Sequence, residues 1–509
     1  MARARPVAAV AAALTLMFSG AGVAAAAPGA PPGQDGTGGA RASKPLPPEL
    51  EKIRAAEAEK LYGSAAERPM DERKTSLISL GDSEISGEGV GTYEPGTNGP
   101  DNWCHRSPDS AIHRTGILAD VTYNVSCSGA SSENIRIGGT KQFADELVQS
   151  DSLAIKARNT RLKQIVLVAG ANDDLQFGPV MTDCVTRYLT LQGPCEPKYT
   201  PVWQDRVDGL VPKIEQTVGD LKSVMRDAGY ADDDYQLLVV GYPSPIGPDF
   251  HDNPDFPGKL IGGCLGHTSD TRWGRDTAVP AFEKGMRKAA EASGADYLDA
   301  SRLFHGHEVC MENTWTRGLY VDLTNPVPPD ENSVRQSFHP NKRGHGAFAD
   351  CFTKMWQAGK DGVREASCAD PDGSGRPQLY RQAWDDVFQP LRNEDTGTCL
   401  DADGSHSAVG TQVRGWSCKT GQRNQQWWYD TEGQRLYTAL THDRCVRSAG
   451  TDGAGLELAN CSGADDQKFV RDGATLRPAT AKNLCVTLHG LEEQAQLAPC
   501  DGSAAQRFA

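Results

Sequence analysis

The chain has 509 residues, enough for two or three domains, with a net charge of −15 and a sequence pI near 5.3. That acidity repels nucleic acid and anionic membranes, and the aromatic residues (7%) are not interleaved with any basic patch, which argues against nucleic acid as a partner. Past the N-terminus no segment has the run of about eighteen uncharged apolar residues that a membrane span needs, so no stable membrane anchor is expected.

Residues 1–27 read as an export signal, because Arg3 and Arg5 precede an Ala/Val/Leu run that closes on Ala24-Ala25-Ala26-Ala27. A secreted, extracellular protein is the expectation. All 14 cysteines lie beyond that segment, an even count that reads as disulfides in an oxidising compartment. With no Cys-x-x-Cys pair, neither a metal nor any other cofactor is expected. Residues 28–73 divide into a Gly/Pro/Ala-rich disordered leader (28–48) and a charged, Ala-rich helix over 49–70 that reads as solvated.

From 74 to 368 the pattern alternates. Apolar runs at 76–80, 120–125, 165–169, 235–241 and 296–299 read as buried strands, and 141–157, 202–228, 276–293 and 343–358 as amphipathic helices. Such alternation predicts an α/β domain whose parallel sheet is covered on both faces, with its site at the carboxyl ends of the strands. Residues 369–386 read as a turn-rich linker, and 387–509 as an all-β domain of short strands and frequent turns.

Three strand ends and one helix start carry the chemistry. The first run ends in Gly81-Asp82-Ser83, a turn that lifts a serine hydroxyl clear of the sheet edge while Asp82 orders the turn. The second ends in Cys127-Ser128-Gly129-Ala130, where glycine lets a main-chain N–H approach a ligand closely. The third ends in Gly170-Ala171-Asn172-Asp173, which aims an amide beside the sheet. Ser337-Phe338-His339-Pro340-Asn341 stands before a helical run, with Pro340 suited to its first turn.

Taken in order, Ser83, Gly129, Asn172 and His339 resemble the four blocks of the SGNH (GDSL) hydrolase family over about residues 74–368. The flanking Trp103-Cys104-His105-Arg106-Ser107 and Phe304-His305-Gly306-His307-Glu308-Val309-Cys310 are similar to the secreted actinomycete esterases and lipases within it. The resemblance implies a flavodoxin-like three-layer domain with Ser83 as nucleophile and His339 as general base. It also implies an oxyanion hole built from the main-chain N–H groups of Ser83 and Gly129 and the side-chain amide of Asn172. One position departs from the family pattern. Most members have Asp three residues before the histidine, and here that residue is Gln336. A Ser-His dyad is therefore expected, oriented by the main-chain carbonyl of Gln336 or Ser337, with an Asp arriving from elsewhere as the alternative. His305 and His307 have the look of a metal pair but read better as a loop or strand beside Cys310.

Eight cysteines fall in this domain: Cys104, Cys127, Cys184, Cys195, Cys264, Cys310, Cys351 and Cys368. Connectivity does not follow from sequence. Neighbour pairing is the simplest arrangement, and its first three pairs are similar to the family's habit.

In the last domain Cys399…Cys418, Cys445…Cys461 and Cys485…Cys500 form three short loops at nearly regular offsets. Each is followed by Gln-x-aromatic: Gln425-Gln426-Trp427, Gln467-Lys468-Phe469 and Gln506-Arg507-Phe508. A period of about forty residues signals one unit used three times, and the pattern resembles the ricin-B-type β-trefoil lectin. This implies a polysaccharide, or a galactose- or xylose-type sugar, as partner. Only the first copy keeps the sugar-binding set, namely Asp401 for hydroxyls, Trp416 for stacking, and Asn424 with Gln425 for further hydrogen bonds. Arg447 and Ala459 stand in the second copy, Thr487 and Ala498 in the third, and Arg414 occupies a place where the family often has Gln.

The combined expectation is a secreted, monomeric serine ester hydrolase with an acyl-ester substrate. Lipase or carboxylesterase activity ranks first and an acetylxylan-type carbohydrate deacetylase second. A lectin carrying an inactive hydrolase scaffold is the alternative of another class.

Overall fold

The computed structural model describes residues 43–248, 262–319, 335–370, 374–381, 388–419, 422–431, 433–440 and 444–509. The expected export signal, most of the leader, and residues 371–373 and 382–386 of the expected linker lie outside the described residues.

Seven strands make the first sheet: β1 (Thr75–Gly81), β2 (Val121–Asn124), β3 (Arg161–Val168), β4 (Gln236–Val240), β5 (Asp296–Asp299), β6 (Glu365–Ala369) and β7 (Gln378–Tyr380). Their order is β2-β1-β3-β4-β5-β6-β7, parallel throughout except for β7, which runs antiparallel to β6. The apolar runs of β1, β3 and β4 are buried almost end to end, as parallel strands covered by helices must be. The helices are α1 (Pro48–Tyr62), α2 (Ser83–Ser86), α3 (Gln149–Asn159), α4 (Phe177–Leu189), α5 (Glu196–Asp227), α6 (Thr268–Trp273), α7 (Val279–Ser293) and α8 (Lys342–Gly359). Helix α5 buries Trp203, Val207, Leu210, Ile214, Val218 and Leu221, a spacing of three and four that keeps one apolar stripe inward. Beneath α8 a polar row crosses the sheet. Gln164 donates to Gln236 and Gln236 to Asp296, each at 2.8 Å, and both glutamines also reach α8 carbonyls.

Several expectations need correction. The charged helix is shorter than 49–70 and is not solvated. Arg54 is buried, bonded to Glu51 and Asn159, so α1 is docked against α3. Helix α3 begins at Gln149, eight residues later than its apolar pattern suggests, because residues 141–148 form turns around Phe143 and Val148. Helix α4 and strand β6 were not expected. Within the stretch read as linker, Gln378–Tyr380 joins the sheet as β7, pairing with β6 through Ser367, Cys368 and Ala369. Pro340 does not enter the first turn of α8. Asn341 caps that helix by accepting from the N–H groups of Arg343 and Gly344, and Pro340 instead bridges to Thr316.

Four disulfides staple this domain (Cys104–Cys127, Cys184–Cys195, Cys264–Cys310, Cys351–Cys368) and three the next (Cys399–Cys418, Cys445–Cys461, Cys485–Cys500). The second domain is all-β, with a threefold logic in its core. Trp427, Phe469 and Phe508 are each buried at the equivalent place, after the short turns Arg423–Gln425, Asp465–Gln467 and Ala504–Gln506. In each turn the glutamine side chain accepts from one main-chain N–H and donates to one main-chain carbonyl. The pairs are Lys419 and Ser417 for Gln425, Ser462 and Asn460 for Gln467, and Asp501 and Pro499 for Gln506. The repeated Gln-x-aromatic is thus a fold-holding clamp in all three copies.

Candidate active site

Ser83 is the first residue of α2, immediately past the carboxyl end of β1. Asp82 caps that short helix by accepting from the Glu84 N–H at 3.0 Å. A residue at the first helical position has an N–H with no partner inside the helix, and among the described residues the Ser83 N–H has no protein acceptor. His339 stands across the cleft with Nε2 2.8 Å from Ser83 Oγ, joining groups 256 positions apart. Its Nδ1 lies 2.9 Å from the Ser337 carbonyl. A carbonyl only accepts, so Nδ1 carries the ring hydrogen and Nε2 is left as the acceptor for the serine proton. Burial holds the imidazole below its ordinary value, which favours its neutral form. Gln336 turns away from the ring, its Oε1 accepting from Arg317 at 2.6 Å.

Gly129 adopts φ +80 in the turn after β2, where its neighbours Ser128 and Ala130 donate their own N–H groups to Cys104 and Cys127. Asn172 follows β3 and is half-buried. Its Nδ2 donates to the Ala130 carbonyl at 3.0 Å and leans toward Asp82 Oδ2 at a long 3.4 Å. The amide is therefore moored beside Gly129 on one side and beside Ser83 on the other. It caps no helix, since α4 starts at Phe177.

One further residue ties these strand ends together, and sequence reasoning passed over it. Tyr242, just past β4, donates its hydroxyl to Asp82 Oδ2 at 2.6 Å and stacks on Phe282 at 4.7 Å. Its position after a strand was the available signal. Asp82 is fully buried, which pushes its carboxyl up to about 7 although the Tyr242 hydrogen bond pulls the other way. His305 and His307 lie in a turn, and His307 is fixed between Asp370 Oδ2 and the Asn313 carbonyl, each at 2.8 Å, and stacks on Trp315.

In the second domain the strand pairs place Asp401 opposite Arg414, Arg447 opposite Glu457, and Thr487 opposite Gln496. Only the first repeat has a carboxylate at the first of these positions. Asp401 Oδ2 accepts from Asn424 at 2.9 Å and Gln425 at 2.8 Å. Arg414 is ion-paired with Asp403 and lies over the Trp416 ring, 4.8 Å from its centroid, so that face of the indole is covered. In the second repeat Arg447 is bonded to Glu457 at 2.8 Å, and in the third Thr487 accepts from Gln506 at 3.2 Å.

Comparison with known proteins agrees with both halves of this architecture. Residues 79–347 match the GDSL-like lipase/acylhydrolase family and residues 347–453 the ricin-type beta-trefoil lectin domain. A lipase of Streptomyces rimosus is 26% identical over 289 residues, covering 55% of this chain and 90% of its own. The crystal structure of the extracellular lipase from Streptomyces rimosus aligns over 56% of this chain and 99% of its own, at 21% identity and a TM-score of 0.34. For the second domain, the C-half of an earthworm R-type lectin, solved in complex with GalNAc, aligns over 24% of this chain and 96% of its own, at 19% identity and a TM-score of 0.21.

Proposed function

Because the chain belongs to the GDSL-like lipase/acylhydrolase family and is an ester hydrolase, we propose that it cleaves acyl esters through a Ser83–His339 dyad. Ser83 Oγ attacks the ester carbonyl carbon as its proton passes to His339 Nε2. The negative charge that develops on the carbonyl oxygen falls among the N–H groups of Ser83 and Gly129 and the Asn172 amide. The C–O bond then breaks, the imidazolium returns its proton to the leaving alcohol, and a water activated by the same imidazole releases the acid from Ser83. The observation that carries this reading is the 2.8 Å contact between Nε2 and Oγ, with Nδ1 locked to a carbonyl. Hydrolysis of a short p-nitrophenyl ester by the wild type and by Ser83→Ala tests it. A wild-type rate reduced to background is the expected result, and equal rates in both proteins defeat the dyad.

Lipid or fatty-acyl esters rank first as substrates, in line with the lipases this chain is similar to. Acetylated polysaccharide ranks second, and a cleft supports it. A space of about 560 Å³ opening at Asn172 is lined by Ser132, Arg136, Asp173, Gln176 and Lys213, among other polar residues. A panel of esters from acetyl to palmitoyl, with acetylated xylan and phospholipid, separates the two. Sugar binding belongs to the first repeat of the trefoil. There Asp401 is the anchor, and weak affinity follows from the covered Trp416. Export from the cell is supported by the N-terminal pattern and by the pairing of all 14 cysteines.

A further inference from the structure

Behind His339 lies a hydrogen-bonded Glu–His pair that the mechanism above does not use. Glu88 and His105 are both without solvent exposure. The two carboxylate oxygens each stand 2.8 Å from His105 Nδ1, and Nε2 meets Asn98 Oδ1 at 3.0 Å. The ring is clamped as well as bonded, since His105 is held at φ +48 and stacks on Tyr93 at 4.4 Å, while the Tyr93 hydroxyl donates back to the Glu88 carbonyl. The neighbouring residue, Gly89, presses directly on the catalytic loop. A Cβ there would lie 2.5 Å from the His339 carbonyl oxygen and 2.6 Å from that of Pro340, so only glycine permits the approach. A buried carboxylate is therefore fixed one residue from the point where the chain touches His339. Burying such a pair does little for stability, because desolvation offsets the attraction.

We propose that Glu88, locked in place by His105, is a positioning residue whose negative field stabilises the His339 imidazolium, the service that a carboxylate at position 336 would otherwise perform. The proposal rests on the dyad reading. The main-chain carbonyls of Ser337 (2.9 Å from Nδ1) and Arg335 that His339 meets are neutral, and the charge it gains in the transition state needs a counter-charge in a half-buried site. Among the described residues, the titratable groups acting on the imidazole are Glu88 and His105 from the segment between α2 and β2 and His345 from α8, while Arg317 and Arg335 meet His339 through their main chains. His345 is buried and pushed down to about 3, so it stays neutral. After burial, which lowers His339, the Glu88 carboxylate is the strongest influence raising it, and His105 acts more weakly in the opposite sense.

The test is the pH profile of kcat/KM on a soluble p-nitrophenyl ester, using the full chain and E88Q, an isostere that keeps a hydrogen bond to His105. The expected result is an acid limb moved about one pH unit lower and a plateau about tenfold lower, with KM unchanged. Removing a nearby negative charge makes imidazolium harder to form, which fixes that direction. The double variant E88Q/H105Q retains a neutral bonded pair and serves if E88Q does not fold. Either folded variant with the wild-type limb and plateau overturns the proposal, as does a limb that moves up. A loss of KM alone, or a drop in rate with the limb in place, also overturns it by making the pair merely structural. Failure of the dyad itself would appear separately, as activity surviving in Ser83→Ala.

Discussion

Replacing Asn172 with alanine separates the oxyanion reading from a scaffolding one. The amide nitrogen has two hydrogens. One is held by the Ala130 carbonyl at 3.0 Å, and the other faces Asp82 Oδ2 at 3.4 Å, too long for a strong bond. That second hydrogen is the one an oxyanion would capture. A single preorganised donor of this kind is worth about 2.7–4 kcal/mol of barrier, so kcat should fall about 100- to 1,000-fold. The neutral ground-state carbonyl draws much less from the same donor, so KM should change by no more than about threefold. Folding loses the bond to Ala130, about 1 kcal/mol, which is small enough to leave the protein folded at assay temperature. Steady-state kinetics on a p-nitrophenyl ester together with a thermal melt measure both terms. A folded Asn172→Ala protein whose kcat stays within about threefold of wild type would refute the reasoning, as would a loss carried wholly by KM.

Only neutral imidazole accepts the serine proton, and burial lowers the His339 pKa, so the rate should rise with pH to a midpoint below about 6.5 and then level off. A midpoint above about 7.5 would mean that another group is the base. In the lectin half, Asp401→Ala should abolish retention on insoluble xylan, while Arg414→Gln should strengthen it by uncovering the Trp416 face. Unchanged retention in both variants would place sugar binding elsewhere or nowhere.

The alternation of apolar runs and helical stretches made the parallel sheet legible in the sequence, because a strand buried on both faces has no polar side to disguise it. The short edges were not legible. Strand β6 (Glu-Ala-Ser-Cys-Ala) has no branched apolar residue, and β7 is three residues beside a Pro/Gly-rich stretch. Pairing with a neighbouring strand, which is a tertiary fact, outweighs their weak local preference. Helix α4 escaped for a related reason. Gly178 and Pro179 in its first turn look like turn residues, and only Val180 and Cys184 are buried. The four residues around the cleft were readable from their places at element ends. Tyr242 shares such a place just past β4, but its partner Asp82 was not legible, nor was the pairing of Glu88 with His105, because a lone tyrosine or glutamate gives no hint in sequence of the partner it meets across the fold.

The stretch read as a turn-rich linker also bears on how the two domains are joined. Because β7 is stitched to the sheet, the chain leaves the hydrolase at a fixed edge rather than from a loose tail. Tyr380 at that edge meets Trp428 at 4.7 Å, Trp428 stacks on Tyr437, and Phe388 is covered by Arg302 from the hydrolase at 5.0 Å. In this seam Tyr437 and Phe388 are buried and Tyr380 and Trp428 half-buried, and aromatic contacts of this kind are directional. The seam is joined by Arg423, whose guanidinium reaches Asp276 at 3.2 Å. Arg423 immediately precedes Asn424 and Gln425, which hold Asp401, so this turn of the first repeat is tied to the hydrolase. A sugar held there would sit at a set place relative to the hydrolase instead of on a free leash, and the reach of the enzyme along a polymer would be decided by that seam.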